Sequence, residues 1–213
     1  MEVHEHGSLR LVKEGPLGSF GNNAYLIQDR ESGESIVVDA PAGGERILDA
    51  LDGGRVTRIV ITHRHPDHWM SIDALKQATG APVACHEADR ERYAEKVDAT
   101  IADGEEIAVG SLRVRAIHTP GHTAGSTCFL VGGHLISGDT LFPGGPGRSD
   151  KPEDLQQSIQ SITTKLYALP DETFVHPGHG DGTTIGQSKR EYAVFASREH
   201  PADLCGDVTW EGM

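Results

Sequence analysis

The run Ile59-Val60-Ile61 feeds almost directly into His63-Arg64-His65-Pro66-Asp67-His68, and this junction limits the possible folds more than any other stretch of the chain. The apolar run is too short for a helix and rich in β-branched residues, so it reads as a buried strand. Imidazoles and a carboxylate then crowd one short turn. Side chains two apart in an extended segment point to the same side, so His63 and His65 converge on one position. Asp67 and His68 sit where the chain turns into the next helix and face a second position close by. Such a turn demands a fold that brings further donors to the end of that strand.

Those donors follow in glycine-rich settings: His122 in Pro120-Gly121-His122-Thr123, Asp139 in Ser137-Gly138-Asp139-Thr140, and His179 in Pro177-Gly178-His179-Gly180. Each follows or ends an expected strand, and the glycines let the backbone turn sharply enough for a short side chain to reach an ion. Alone, any one of them is an ordinary glycine turn. In order, with the cluster, they make a ligand list of five imidazoles and two carboxylates for two borderline divalent ions. Zinc is the first expectation, with manganese or iron as alternatives. The remaining histidines have weaker claims. His4 and His6 fall in a terminus expected to fray, and His86, His134 and His200 lack ligand company. His118 and His176 precede ligands and are expected to pack, with an orienting role the lesser alternative.

The pattern elsewhere alternates strands and helices. Strands are expected at 9–12, 24–28, 35–39, 59–61, 82–85, 106–109, 112–118, 127–131, 134–137 and 173–175. Helical stretches are expected at 45–51, 69–80, 87–96 and 185–196. The clearest helix carries Leu155, Ile159, Ile162 and Leu166 on one stripe, with Asp150 placed to cap it and Glu153 following. This is an α/β arrangement of covered sheets in one domain spanning 1–213, with a core at about 8–196 and a tail at 197–213.

Composition excludes several classes. The chain has 37% hydrophobic and 24% charged residues, as soluble globular proteins do, and neither a membrane-length apolar run nor a leader pattern. Cys85, Cys128 and Cys205 form no paired motif and point to a reducing, cytoplasmic setting. A net charge of −13 argues against a nucleic-acid partner.

With these motifs in hand, the sequence resembles the metallo-β-lactamase superfamily, specifically its short glyoxalase II-like hydrolase branch. His63-x-His65-x-Asp67-His68 matches the signature, and His122, Asp139 and His179 match the later motifs in order. Asp39, closing Ile36-Val37-Val38-Asp39, is similar to the family's first-motif aspartate, which supports the site without binding metal. The resemblance runs from about Asn22 to Gly186 and implies a four-layer αβ/βα sandwich with the site at one edge of two sheets. It also implies His63, His65 and His122 around one ion, Asp67, His68 and His179 around the other, and Asp139 bridging them. A bridging carboxylate fits thioesterases, lactonases and phosphodiesterases better than true β-lactamases. Glyoxalase II proper carries a substantial helical extension, whereas 34 residues follow His179 here.

The implied activity is a dinuclear metal-dependent hydrolase in which a metal-bridging hydroxide attacks a small thioester or ester, with Asp67 both a ligand and the orienter of the nucleophile. Trp69 and Met70 beside the cluster, together with Arg148, are expected to shape the substrate pocket, although Trp69 and Met70 are most simply core residues. The alternative is a mononuclear iron persulfide dioxygenase using residues matching His63, His122 and Asp139. A nuclease is disfavoured by the acidic balance, and a purely structural site by its lack of cysteine ligands.

Overall fold

The computed structural model describes residues 1–210, so the last three residues of the expected tail lie outside the described residues. Seven strands form the first sheet in chain order: β1 (Glu2–His6), β2 (Leu9–Leu17), β3 (Asn22–Asp29), β4 (Glu34–Val38), β5 (Arg55–Val60), β6 (Val83–His86) and β7 (Ala99–Ile101). β1 to β4 pair antiparallel and β4 to β7 pair parallel. The second sheet holds β8 (Glu106–Val109), β9 (Leu112–His118), β10 (Thr127–Val131) and β11 (His134–Gly138). A small ribbon, β12 (Leu141–Phe142) with β13 (Gly145–Pro146), follows. Next come β14 (Phe174–Pro177), which adds parallel to β11, and the short edge β15 (Thr183–Thr184). The helices are α1 (Ile72–Thr79), α2 (Glu87–Arg90), α3 (Pro152–Ser161) and α4 (Ile185–Ala196).

Strand alternation sorts the apolar residues into layers. Ile36, Val38 and Val60 meet Val114, Phe129 and Ile136 between the sheets. Their neighbours Val37 and Ile59 turn the other way and pack under Ile72, Leu75 and Tyr93. On the far face of the second sheet, Leu135 and Val175 pack under Ile162, Leu166, Ile185 and Phe195. Helices outside, two sheets inside and three apolar seams between them are the four-layer sandwich.

Several local expectations change. The amino terminus does not fray: β1 pairs with β2 from Glu2 to His6. The stretches at 45–51 and 87–96 are largely 3₁₀ turns, Gly44–Ala50 and Glu91–Lys96, the latter following the single α-helical turn of α2. Asp150 does not cap α3, because Ser149 is bridged to Gly206 and Pro152 starts the helix with Lys151 in the cap position. The stripe beyond Ser161 continues through a widened turn, Ile162–Leu166, closed by Tyr167 N–H to Ile162 O at 2.9 Å. Thr163 and Thr164 hydroxyls bonding back to Ile159 and Gln160 carbonyls accompany that widening. The expected tail reaches back to the core at one point, where Trp210 is buried in the third apolar seam with the partly buried Leu204 and Val208 packed against it. No described helix is long and apolar enough to cross a membrane.

Candidate metal centre

Strand direction gathers the site. β4 and β5 run parallel, and β9, β11 and β14 share one direction through their pairings, so the chain leaves all of them at one edge. Asp39 follows β4, the histidine turn follows β5, His122 follows β9, Asp139 follows β11 and His179 follows β14. All seven expected donors meet there. His63, His65 and His122 form one group, Asp67, His68 and His179 another, and His63, His68 and Asp139 a third between them, each with ligand atoms within 4.8 Å of one another. Asp139 Oδ2 lies 3.7 Å from His122 Nε2 and 3.4 Å from His179 Nε2, while its Oδ1 lies 3.4 Å from His68 Nε2.

The outward bonds of the imidazoles decide which nitrogens are free. His122 Nδ1–H donates to Arg148 O (2.8 Å), His179 Nδ1–H to Phe20 O (3.0 Å) and His68 Nδ1–H to Asp39 Oδ2 (2.8 Å). Thr62 Oγ1 donates to Asp39 Oδ2 and so accepts from His63 Nδ1–H at 3.1 Å. With Nδ1 committed on four rings, their Nε2 atoms turn inward. His63 Nε2 faces His122 Nε2 at 3.3 Å, and His68 Nε2 faces His179 Nε2 at 3.2 Å. His65 enters through Nδ1, 3.1 Å from His63 Nε2 and 2.9 Å from His122 Nε2. Two nitrogens at zinc–imidazole bond length and the tetrahedral angle stand about 3.3 Å apart. Asp139 Oδ1 is buried without a hydrogen-bond partner. Inward lone pairs at ligand spacing, with an orphaned carboxylate oxygen among them, fit divalent cations.

The electrostatics agree. Burial pushes the His63 and His65 imidazoles down, and neighbouring imidazoles add to it, so both are neutral donors. Burial would raise the Asp139 carboxyl, but His68, His179 and His63 around it hold it well below the usual range. Asp67 is likewise held low against burial, by His179 and Asn22. Burial opposes charge on His179, yet Asp139 and Asp67 push it up to about 10. The field on that side favours positive charge at Nε2, the place where a divalent cation would replace a proton.

Other expected residues are placed as follows. Asp39 is buried, accepts from Thr62 N–H (2.8 Å), holds His68 and lies outside the three donor groups. Trp69 packs edge-on to Tyr93 and donates from Nε1 to Arg64 O, and Met70 is exposed; neither lines the cleft at Asp139. Arg148 does line that cleft, of about 420 Å³, together with His122, Phe142, His179 and Val208. Its guanidinium pairs with Asp207 at 3.0 Å. His118 bonds Ala124 O and His176 bonds His134, outside the ligand groups. Sequence reading missed Asn22, whose Nδ2 donates to Asp67 Oδ2 at 2.9 Å, and Asn23, whose N–H donates to Gly178 O at 2.7 Å. The Asn22-Asn23 doublet just after Gly21 was the available signal.

Comparison with known proteins places these observations. The family model described as the metallo-beta-lactamase superfamily matches residues 17–179. A hydroxyacylglutathione hydrolase of Cereibacter sphaeroides is 38% identical over 186 residues, covering 84% of this chain and 69% of its own. A probable polyketide biosynthesis zinc-dependent hydrolase of Bacillus velezensis is 35% identical over 195 residues, 85% of each chain. A solved structure, TTHA1623 in a di-iron-bound form, superposes with a TM-score of 0.72 at 31% identity, covering 84% of this chain and 97% of that one.

Proposed function

The chain belongs to the metallo-beta-lactamase superfamily, and from that premise we propose that it is a hydrolase of small thioesters or esters that works with two divalent ions, zinc before manganese or iron. One observation carries the proposal: Asp139 stands between two donor groups whose imidazole lone pairs are already turned inward. The group at His63, His65 and His122 would hold one ion, the group at Asp67, His68 and His179 the other, and Asp139 would span both. Bound there, the ions supply Lewis acidity and an acidified water at neutral pH.

The rest is the chain's own work. Asp67 is ionised and pinned by Asn22, so it accepts a hydrogen bond from the attacking water and fixes its direction. Asp39 and Thr62 lock the tautomers of His68 and His63. The cleft walled by Phe142, Pro146, Arg148 and Val208 takes the acyl or leaving group. Its modest size supports a small-molecule substrate. Cys85, Cys128 and Cys205, all free, support a reducing, cytoplasmic setting.

A second reading has its own observation. His63 Nε2, His122 Nε2 and Asp139 Oδ2 lie 3.3, 3.7 and 4.0 Å from one another, a two-histidine, one-carboxylate face that suits a single iron in a persulfide dioxygenase. Purified protein stripped of metal and reloaded with zinc, manganese or iron separates the readings. The panel holds S-lactoylglutathione, short acyl thioesters, lactones, phosphodiesters and glutathione persulfide. Thioester hydrolysis that needs two equivalents of metal is expected. One iron per chain with oxygen uptake on the persulfide favours the dioxygenase, and no hydrolysis on any arm ends the hydrolase proposal.

A further inference from the structure

The relative placement of the two turns that form the first imidazole group needs an explanation. His63 and His65 flank Arg64 on the turn after β5, whereas His122 lies 57 residues after His65, beyond β9. Their donor nitrogens stand 2.9–3.3 Å apart, a spacing that strand pairing alone does not set. Between the turns lies Asp89, on the short helical turn α2, with 2% of its surface exposed. Its Oδ2 accepts the N–H of Arg64 (3.0 Å) and the hydroxyl of Thr123 (2.6 Å), and its Oδ1 accepts the N–H of Gly125 (2.9 Å). The Arg64 guanidinium adds an ion pair at 3.7 Å.

These bonds fall on the backbone between His63 and His65, on the residue after His122, and two residues beyond that. Gly125 permits the approach, since a Cβ there would stand 2.5 Å from Asp89 Cγ. Thr127 N–H to Thr62 O at 2.9 Å, one residue before His63, is a further backbone tie between the two segments. It joins the strand ends, whereas the bonds of Asp89 fall on the turns themselves. At the second group Asn22 bonds Asp67, Asp39 bonds His68 and Phe20 O bonds His179. Asp39 also supports His63 through Thr62, whereas the carboxylate bonds of Asp89 all fall on the two turns of the first group.

We infer that Asp89 is a positioning residue that sets the gap between the His63–His65 turn and the His122 turn, and with it the affinity of the first metal group alone. The inference rests on the proposal that these groups hold divalent ions. A carboxylate suits the task because three N–H and O–H donors converge on it and it presents only acceptors. An amide of the same shape would turn an N–H toward one of those donors.

The test titrates metal-stripped wild type, Asp89→Asn, Thr123→Val and His122→Ala with zinc against a competing chelator. Cobalt spectra follow which group fills, and circular dichroism reports folding. Wild type is expected to show two classes of zinc. Asp89→Asn should keep the fold and loosen one class about 10–100-fold, the class missing in His122→Ala, while leaving the other unchanged. Thr123→Val should move the same class by less. Equal loosening of both classes in folded Asp89→Asn, or no loosening, overturns the inference. Should Asp89→Asn fail to fold, wild-type affinity in Thr123→Val overturns it too. If wild type itself binds no zinc, the proposed function fails first.

Discussion

Asp39 shows how much the candidate metal site depends on a side chain outside its three donor groups. It sits just past β4 with φ of +64°, a backbone shape that aspartate and asparagine tolerate better than most residues. From there it accepts the Thr62 N–H, the Thr62 hydroxyl and the His68 Nδ1–H, each at 2.8 Å. Asp39→Ala strands two buried N–H donors and places a Cβ-bearing residue without a local hydrogen bond in the left-handed region. A loss of about 2–4 kcal/mol is expected, read as a lower urea midpoint with an unchanged slope. Because His68 then loses its fixed tautomer, zinc at the second group should weaken by about 10–100-fold. Asp39→Asn, which keeps the turn and an acceptor, should fall between. Wild-type midpoint and zinc affinity in Asp39→Ala would mean that the fold sets His68 without it.

Which elements were readable follows from what holds them. Strands β5, β9, β10 and β11 announce themselves because alternation or an unbroken apolar run must match the seams they face. The helix at 185–196 is found in full because its apolar residues cover the second sheet and Thr184 accepts the Gln187 N–H at its start. The ligand turns are legible because His63 to His68 crowd one turn after a strand, and His122, Asp139 and His179 each follow a glycine near a strand end. β1 was not, since polar Glu2-Val3-His4-Glu5-His6 is held by its ladder to β2 and by a distant imidazole cluster. In that cluster the His4 ring lies 5.1 Å from both His134 and His176, and His134 Nδ1 meets His176 Nε2 at 2.9 Å. Burial first, then His134, His4 and Lys13, push His176 down to about 3. Its folded value lies below the unfolded one of about 6.5, so the unfolded chain binds the extra proton. The contribution of His176 is therefore complete above about pH 6.5 and is lost as pH falls toward 3, at about 1.4 kcal/mol per pH unit. Urea melts at several pH values should show wild type losing that much more per unit than His176→Phe. Parallel pH profiles for the two proteins would refute it.

The last prediction concerns how the chain closes on itself. After α4 the backbone crosses back to the loop that begins at Phe142. Ser149 and Gly206 exchange N–H to O bonds at 3.1 and 2.8 Å, and Trp210 N–H reaches Gly144 O at 2.6 Å. Trp210 then packs fully buried against Tyr192 and among Phe195, Leu141 and Ile162. This strap, with Asp207, Val208 and Thr209, forms one wall of the cleft at Asp139. It also steadies Arg148, whose carbonyl fixes the His122 tautomer and whose side chain pairs with Asp207. Sequence pattern gives no hint of it, because a single tryptophan in a polar tail lacks periodicity. Trp210→Ala should cost about 3–5 kcal/mol, since a large buried ring leaves a cavity that the strap cannot fill. For a chain of this size that lowers the melting temperature by roughly 10 °C. Amide exchange at 142–149 should speed up with it, and hydrolytic turnover should fall while bound metal stays near the wild-type amount. A variant that melts within about 2 °C of wild type, with unchanged exchange in that loop, would show that the strap merely lies against the cleft and does not build it.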